Sequence, residues 1–243
     1  MKSLDQVLGG YGLVLPQWLQ GKETDAGGNE FQLIYPATAE PIARYREDTP
    51  KAVDGAVHAA RQAFDQGPWP RMPVTERQAI LRRAAQLIRD HADELAVLET
   101  LCAGLPVSHL QQRQVPRAAE NFEFFADYIG IMAGETFDQE AGYLTLVTRE
   151  AAGVAALISP WNAPLALASM QIASCIAFGN TCVCKPSEYT PLAINRLLGL
   201  LQDAGLPPGV VNQVLGRGEV TGEALVSHPG IDRIAFTGGT ATA

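Results

Sequence analysis

Three side chains stand where a ligand would be met: Asn162, Lys185 and Glu188. The stretch that holds them, residues 151–188, reads as strand, tight turn, helix and strand. Val154 to Ile158 is a short apolar run rich in branched residues, as a strand buried on both faces would be. Ser159, Pro160, Trp161, Asn162 and Pro164 interrupt it. Leu165 to Phe178 returns at helical spacing, and Gly179-Asn180 stops it. Thr181 to Cys184 is a second apolar strand that ends on Lys185-Pro186. Polar groups therefore sit at the carboxyl ends of two strands, where open α/β sheets bind ligands.

Each residue has a structural and a chemical reading. Asn162 in a Pro-Trp-Asn turn can hydrogen-bond its own turn, or aim its amide N–H₂ at a developing oxyanion. Lys185 is either a solvated surface charge or a cation reaching a phosphate or a ribose hydroxyl. Glu188 either complements the next helix's N-terminus or accepts hydrogen bonds from ribose hydroxyls; the latter disfavours a 2′-phosphate by charge. Two glycine-rich segments, 216–222 (GRGEVTG) and 237–240 (TGGT), follow predicted strands and precede predicted helices. They either turn the chain or turn backbone N–H groups toward a pyrophosphate.

The elements around these residues alternate. After the strand at 181–184 a helix opens near Thr190-Pro191, with Leu192, Leu197, Leu198, Leu200 and Leu201 as its apolar face. A strand at 210–215, a short helix near 222–227, a strand at 231–236 and the first turn of another helix follow. Alternation of this kind predicts parallel strands with right-handed crossovers, an α/β, Rossmann-like doubly wound sheet.

The region before residue 151 is mainly helical. Residues 1–30 are turn-rich, with short strands expected near Leu13 and at 31–35. Residues 35–45 read as strand, turn, strand. Thr49-Pro50 opens a helix with Pro at its first position. A second helix is expected from Thr75, with Thr75 and Gln78 as a capping box and a stripe running through Leu95, Leu98 and Leu101 to a stop at Gly104. A third covers roughly 107–132, with a kink expected at Pro116 and the aromatics Phe122, Phe124, Phe125 and Tyr128 as a core seam. Residues 142–150 alternate as an exposed or edge strand.

Composition narrows the function classes. The chain has 243 residues and a net charge of −8, which argues against an electrostatic nucleic-acid or anionic-membrane surface. No apolar run approaches a bilayer span. The N-terminus does not read as a signal peptide. Cys102, Cys175, Cys182 and Cys184 form no C-x-x-C pair, and the four histidines are scattered, so no metal site is expected. Cys182 and Cys184 should share one face of their strand as small buried residues. A reduced, cytoplasmic chain is the expectation.

The motifs SPWN (159–162), KPSE (185–188), TP (190–191) and FTGGT (236–240) resemble, in wording, order and spacing, the aldehyde dehydrogenase superfamily. The resemblance runs from about residue 30 to the end and corresponds to the front half of the family, whose members are about twice this length. It implies a helical N-terminal part at 1–139, an oligomerisation-type β arm at 140–150 and an NAD-binding part at 151–243. It implies that Asn162 is the oxyanion-hole side chain. It implies a cofactor site of Ile158, Ser159, Pro160, Trp161, Lys185, Ser187, Glu188, Gly218, Gly222, Phe236, Thr237, Gly238, Gly239 and Thr240, with NAD favoured over NADP. The implied substrate is a small-molecule aldehyde, with semialdehydes as one class, and the implied whole protein is a homodimer or homotetramer.

Several positions depart from the family pattern. Gly239 replaces the serine after Phe-Thr-Gly and removes a hydroxyl from the pyrophosphate site. Ala163 replaces a bulky residue that lines the substrate tunnel, which predicts a wider channel. Tyr35 and Ala39 depart within an early Asn-Pro-Ala-Thr-Gly-Glu stretch, and Ala151 stands in place of a proline. The family's chemistry uses a cysteine thiolate that attacks the aldehyde, hydride transfer to NAD, and a glutamate that activates water. None of the four cysteines here has that nucleophile's context. The chain is therefore expected to be a truncated or partial aldehyde dehydrogenase, with an open sheet edge and poor solubility alone. Two other readings are an inactive NAD-binding or interaction module, and a different Rossmann-like enzyme with Lys185 as base.

Overall fold

A computed structural model describes residues 13–15, 17–19, 22–24, 27–240 and 242. The turn-rich reading of 1–12, and with it the reading of the N-terminus as lacking a signal peptide, lies outside the described residues, as do Ala241 and Ala243. The described residues begin with β1 (Leu13–Val14), β2 (Gln17–Leu19), β3 (Lys22–Thr24), β4 (Glu30–Ile34) and β5 (Pro41–Arg46). β4 and β5 pair antiparallel and β1 lies parallel to β5, while β2 and β3 pair with each other. The expected turn between β4 and β5 is present, and the N–H groups of Thr38 and Ala39 both donate to the Tyr35 carbonyl.

Helix α1 (Pro50–Asp65) starts as expected. Thr49 Oγ1 accepts from Ala52 N–H at 3.3 Å, and Pro50 fills the first position, where an N–H has no intrahelical partner anyway. The expected single helix from Thr75 to Gly104 is two: α2 (Val74–Asp90) and α3 (Ala92–Ala103). His91, at φ −107° and ψ 21°, leaves helical geometry and bends the chain between them. A turn at Val107–His109 and a π-helical stretch at Leu110–Gln114 lead into α4 (Val115–Ile131). The kink expected at Pro116 is a π-helical widening just before it: α4 continues from that stretch, with Val115 N–H reaching back to the Leu110 carbonyl, and Pro116, which has no N–H to donate, follows directly. The capping box does not form. α2 begins at Val74 with Pro73 in the cap position, and Gln78 Nε2 donates instead to the Ala126 carbonyl of α4 at 2.8 Å. A tertiary partner outcompetes the local one.

The strand expected at 142–150 is one half of an exposed hairpin, β6 (Glu135–Glu140) with β7 (Tyr143–Val147). β6 falls within the stretch read as helical and extends the arm toward the N-terminus. Both strands are exposed; β7 alternates in sequence, whereas β6 holds Phe137 among polar residues and carries no alternating pattern to reveal it.

The second half is β8 (Val154–Ile158), α5 (Pro164–Ala177), β9 (Thr181–Lys185), α6 (Leu192–Asp203), β10 (Val211–Gln213), α7 (Glu223–Val226) and β11 (Arg233–Phe236). The hydrogen-bonded part of β10 is shorter than the expected 210–215. The four strands form one parallel sheet in the order β10-β9-β8-β11. The chain thus builds outward from β8, then returns to pair β11 on β8's other side. Of the helix expected after Phe236 the described residues show one turn, closed by Thr242 N–H to the Gly239 carbonyl at 3.0 Å.

Period-two alternation sends strand side chains into two cores. Val154, Ala156 and Val183 pack with Val53 and Val57 of α1 and Leu225 of α7. Ala155, Leu157, Cys182 and Cys184 pack with Leu165, Ile172 and Ile176 of α5, and through them with Phe122 of α4 and Leu81 of α2. Cys182 and Cys184 share a face, as expected. Helices on both faces make the sheet doubly wound. Of the aromatic seam, Phe122 is fully buried, whereas Phe124 is 60% exposed and stacks on Tyr128. Trp69, fully buried, donates Nε1–H to the Ile176 carbonyl at 3.0 Å, beside the Gly179 N–H that the same carbonyl accepts at the end of α5. No helix among the described residues is long and apolar enough to cross a membrane.

Candidate cofactor site

Three strand ends lie side by side. Ile158, the last residue of β8, pairs with Lys185 of β9 on one side and with Phe236 of β11 on the other. Ser159 N–H donates to the Lys185 carbonyl at 3.3 Å, and Thr237 N–H to the Ile158 carbonyl at 3.0 Å. Gln171 of α5 reaches over the end of β8, its Nε2 donating to the Ile158 carbonyl at 3.1 Å and to Thr237 Oγ1 at 3.2 Å. β8 and β11 are neighbours whose connections run in opposite directions along the sheet. Their ends are therefore the switch point at which doubly wound sheets open a crevice.

The Pro-Trp-Asn turn leaves the end of β8 at that point. Ser159 is buried, Pro160 half-buried, and Trp161 and Asn162 are exposed. The Asn162 amide makes no hydrogen bond to its own turn among the described residues. Ala163 is the cap residue of α5 and Pro164 its first helical residue. Leu165 N–H, open at the helix start, is met by Glu99 of α3 at 3.2 Å.

Lys185 is 3% exposed. Its Nζ donates to the Pro186 carbonyl at 3.2 Å and lies 3.9 Å from Glu188 Oε2. Burial pulls the ammonium pKa down, and the carboxylates of Glu188 and Glu47 pull it back up. Glu188 is half-buried, and its carbonyl accepts from the Tyr45 hydroxyl at 3.1 Å. The Ser187 hydroxyl accepts from Tyr189 N–H at 3.4 Å, within its own turn.

Within the 216–222 segment, Gly218–Gly222 form a π-helical turn. The N–H groups of Val220, Thr221 and Gly222 converge on the Arg217 carbonyl at 3.3, 3.0 and 3.2 Å. Gly218 is exposed, and Gly222 is buried against the stem of Lys185, whose Cδ and Cε lie 3.6 Å from where a side chain would begin. After β11, Phe236 and Thr237 are half-buried, and Gly238, Gly239 and Thr240 are exposed. The structure thus joins the Lys185–Glu188 turn to the Gly218–Gly222 turn by direct contact, and both to the Ile158–Asn162 and Phe236–Thr240 segments through the sheet.

Sequence patterns did not point to Tyr45, Glu47, Glu99, Gln171 or the side chain of Arg217. Glu47 is buried, and its carboxylate takes three bonds from Arg217: backbone N–H at 2.9 Å, Nε at 3.1 Å and Nη2 at 3.1 Å. The Arg217 hydrogen bonds hold the Glu47 carboxyl below its usual range. Arg217 stood inside a segment already singled out for its glycines; the others carry no local signal. A cavity of about 200 Å³ between α5 and β11 is lined by Val154, Leu157, Gln171, Cys175 and Ile234. Of these only Gln171 touches the strand-end site, so the cavity is a gap beside the edge strand and not the candidate site itself.

Parallel strands, helices on both faces and polar turns gathered at the switch point define a Rossmann-like α/β protein. Residues 23–243 match the aldehyde dehydrogenase family, and the chain belongs to it. It is 40% identical over 226 residues to the NADP/NAD-dependent aldehyde dehydrogenase PuuC of Escherichia coli (strain K12), covering 93% of this chain and 46% of that protein. It is 40% identical over 225 residues to a 5-carboxymethyl-2-hydroxymuconate semialdehyde dehydrogenase of Escherichia coli, covering 93% and 47%. An aldehyde dehydrogenase from Bacillus cereus, solved as its NAD⁺ complex, superposes with a TM-score of 0.94 at 36% identity over 100% of this chain and 49% of that one. The chain spans about half the length of the relatives it matches.

Proposed function

We propose that this chain supplies the cofactor-binding part of an enzyme that oxidises an aldehyde, a semialdehyde among the candidates, to a carboxylic acid with NAD in preference to NADP. The observation that carries the proposal is a buried lysine, Lys185, at the end of β9, with Glu188 beside it at the switch point of a sheet from this family. The residues fit a dinucleotide. Lys185 keeps ammonium hydrogens beyond its bond to Pro186, and Gly222 brings bare backbone against its stem.

In this reading Lys185 donates to a ribose hydroxyl and Glu188 accepts from one, its charge opposing a 2′-phosphate. The backbone N–H groups of Gly238, Gly239 and Thr240 serve the pyrophosphate, without a hydroxyl at Gly239. Ile158, Ser159, Pro160 and Trp161 line the crevice. Asn162 donates its amide hydrogens to the substrate's carbonyl oxygen as negative charge develops there. The bound cofactor takes up a hydride. Residues 1–139 support the site, the arm assigned to 140–150 and lengthened by β6 pairs subunits of a homodimer or homotetramer, and 151–243 bind NAD. Exposed Tyr143, Leu144 and Leu146 on the arm support that pairing, and four unpaired thiols support a cytoplasmic setting.

Calorimetric titration of the chain with NAD and NADP tests the proposal: saturable binding, tighter for NAD, is expected, and no binding of either overturns it. Within a complete enzyme, Asn162→Ala should lower kcat by about 10²–10³ and leave NAD affinity unchanged. There, Ala163→Phe should slow bulky aldehydes more than slender ones; an unchanged rate ratio removes the wide-channel reading.

The cysteines favour a second reading for the chain by itself, NAD binding without turnover. Cys102, Cys182 and Cys184 are buried, and burial pushes their thiols up, to about 12 for Cys102 and Cys184. Esterase activity of the chain by itself would overturn this second reading.

A further inference from the structure

The turn that packs on Lys185 is not held by its own residues alone. Arg217 is its pivot: the Arg217 carbonyl gathers the N–H groups of Val220, Thr221 and Gly222, and Gly222 rests on the Lys185 stem. What fixes Arg217 is Glu47, just past the end of β5 and 170 residues away in sequence. Its carboxylate grips the Arg217 backbone and guanidinium together, through the 2.9, 3.1 and 3.1 Å bonds given above. The guanidinium's remaining arm bonds Glu219 Oε1 at 3.1 Å. Next to it, Thr221 Oγ1 donates to the Asp48 carbonyl at 3.0 Å. Tyr45, two residues before Glu47 and so on the same side of the strand, donates its hydroxyl to the Glu188 carbonyl. One strand end thereby braces both sides of the lysine: Glu188 through Tyr45, and the 217–222 turn through Glu47.

We infer that Glu47 is a positioning residue of the nucleotide site, acting through Arg217 to hold the 217–222 turn and the Lys185 ammonium in the arrangement that receives the adenosine ribose. The inference rests on the reading of Lys185 and Glu188 as the ribose site. A buried carboxylate with three bonds to one arginine is costly to desolvate, and removing either partner leaves those bonds unmade and frees the turn they hold. All three of its bonds act on the turn that contacts Lys185.

The test is a double-mutant cycle on the affinity of this chain for ADP-ribose, measured by calorimetry well below the unfolding midpoint so that every variant is folded. Glu47→Gln and Arg217→Met should each weaken binding about tenfold, and the double variant should bind no worse than the weaker single, because both act through one contact. Arg217 is half-exposed, so Arg217→Met keeps the test available if Glu47→Gln does not fold. A role confined to stability would lower the unfolding midpoint and leave the affinity of the folded chain unchanged. Affinity within about twofold of wild type in the single variants, or losses that add in the double, overturns the inference. Failure of the unaltered chain to bind ADP-ribose overturns the ribose-site reading itself, and this inference with it.

Discussion

The Glu99 carboxylate of α3 accepts the Leu165 N–H of α5 at 3.2 Å across 66 residues of sequence. It caps, from another helix, the start of the helix that follows the Asn162 turn. Its second oxygen has no hydrogen-bond partner among the described residues, and burial pushes the carboxyl up to about 7 from 4.5. Between those values the folded chain holds a proton that the unfolded chain has released. The group's contribution to stability is therefore whole below 4.5 and is lost as pH rises through about 7. The loss is about 3 kcal/mol, and Glu99→Gln, which stays neutral, should remove it. Urea unfolding of both proteins at pH 5 and pH 8 measures this; equal pH dependence in the two would refute it.

Ala39 closes the β4–β5 turn at φ 59°, the one described non-glycine residue with positive φ. A side chain there is strained by about 1–2 kcal/mol, part of which glycine returns as unfolded-chain entropy. Ala39→Gly should stabilise the chain by up to about 1 kcal/mol, raising the thermal midpoint by about 2–4 °C. A lower midpoint by calorimetry would show that the turn does not bear this strain.

β11 is tied to β8 at its start by Asp232, whose Oδ2 accepts Val154 N–H at 2.7 Å and whose N–H donates to the Val154 carbonyl at 2.9 Å. Arg61 of α1 pairs with the same carboxylate. Gly153, at φ 127°, lies so close that a side chain would collide with Asp232 Oδ2. Gly153→Ala should cost about 2–3 kcal/mol and loosen β11 first. Hydrogen exchange at Val154 and Thr237 should quicken more than at Val183. Uniform exchange across the sheet would count against this anchoring role.

What could be read in the sequence was local. β8, α5 and β9 were legible because their apolar runs match one period each and Pro160, Pro164, Gly179 and Pro186 punctuate them. Lys185 and Asn162 were placed at strand ends for the same reason. The break at His91 was not legible, since the apolar spacing continues through it without Gly or Pro. β6 was missed because its one apolar residue, Phe137, gives no alternation, whereas β7, equally exposed, alternates in sequence. Glu47, Tyr45 and Glu99 reach partners 170, 143 and 66 residues away, so nothing in their own neighbourhoods marks them. The candidate site was thus proposed from residues with local signals, and the residues that brace it carried none.

Lys185 sets stability against binding. Its ammonium is buried with one hydrogen bond and a carboxylate oxygen at 3.9 Å, so its desolvation is incompletely offset. Methionine fits the same stem without a charge. The two acids near it keep other support: Glu47 holds Arg217, and Glu188 is half-buried. Lys185→Met should therefore keep or raise the thermal midpoint at pH 7 while weakening NAD binding at least about tenfold. The pH dependence carries a second sign. With its folded pKa lowered, Lys185 has the folded chain binding fewer protons than the unfolded chain between that value and 10.5. Stability from this group rises with pH across that window, and the rise should vanish in Lys185→Met. A variant that is less stable at pH 7 yet binds NAD as before would reverse both parts of the assignment and make Lys185 a packing residue.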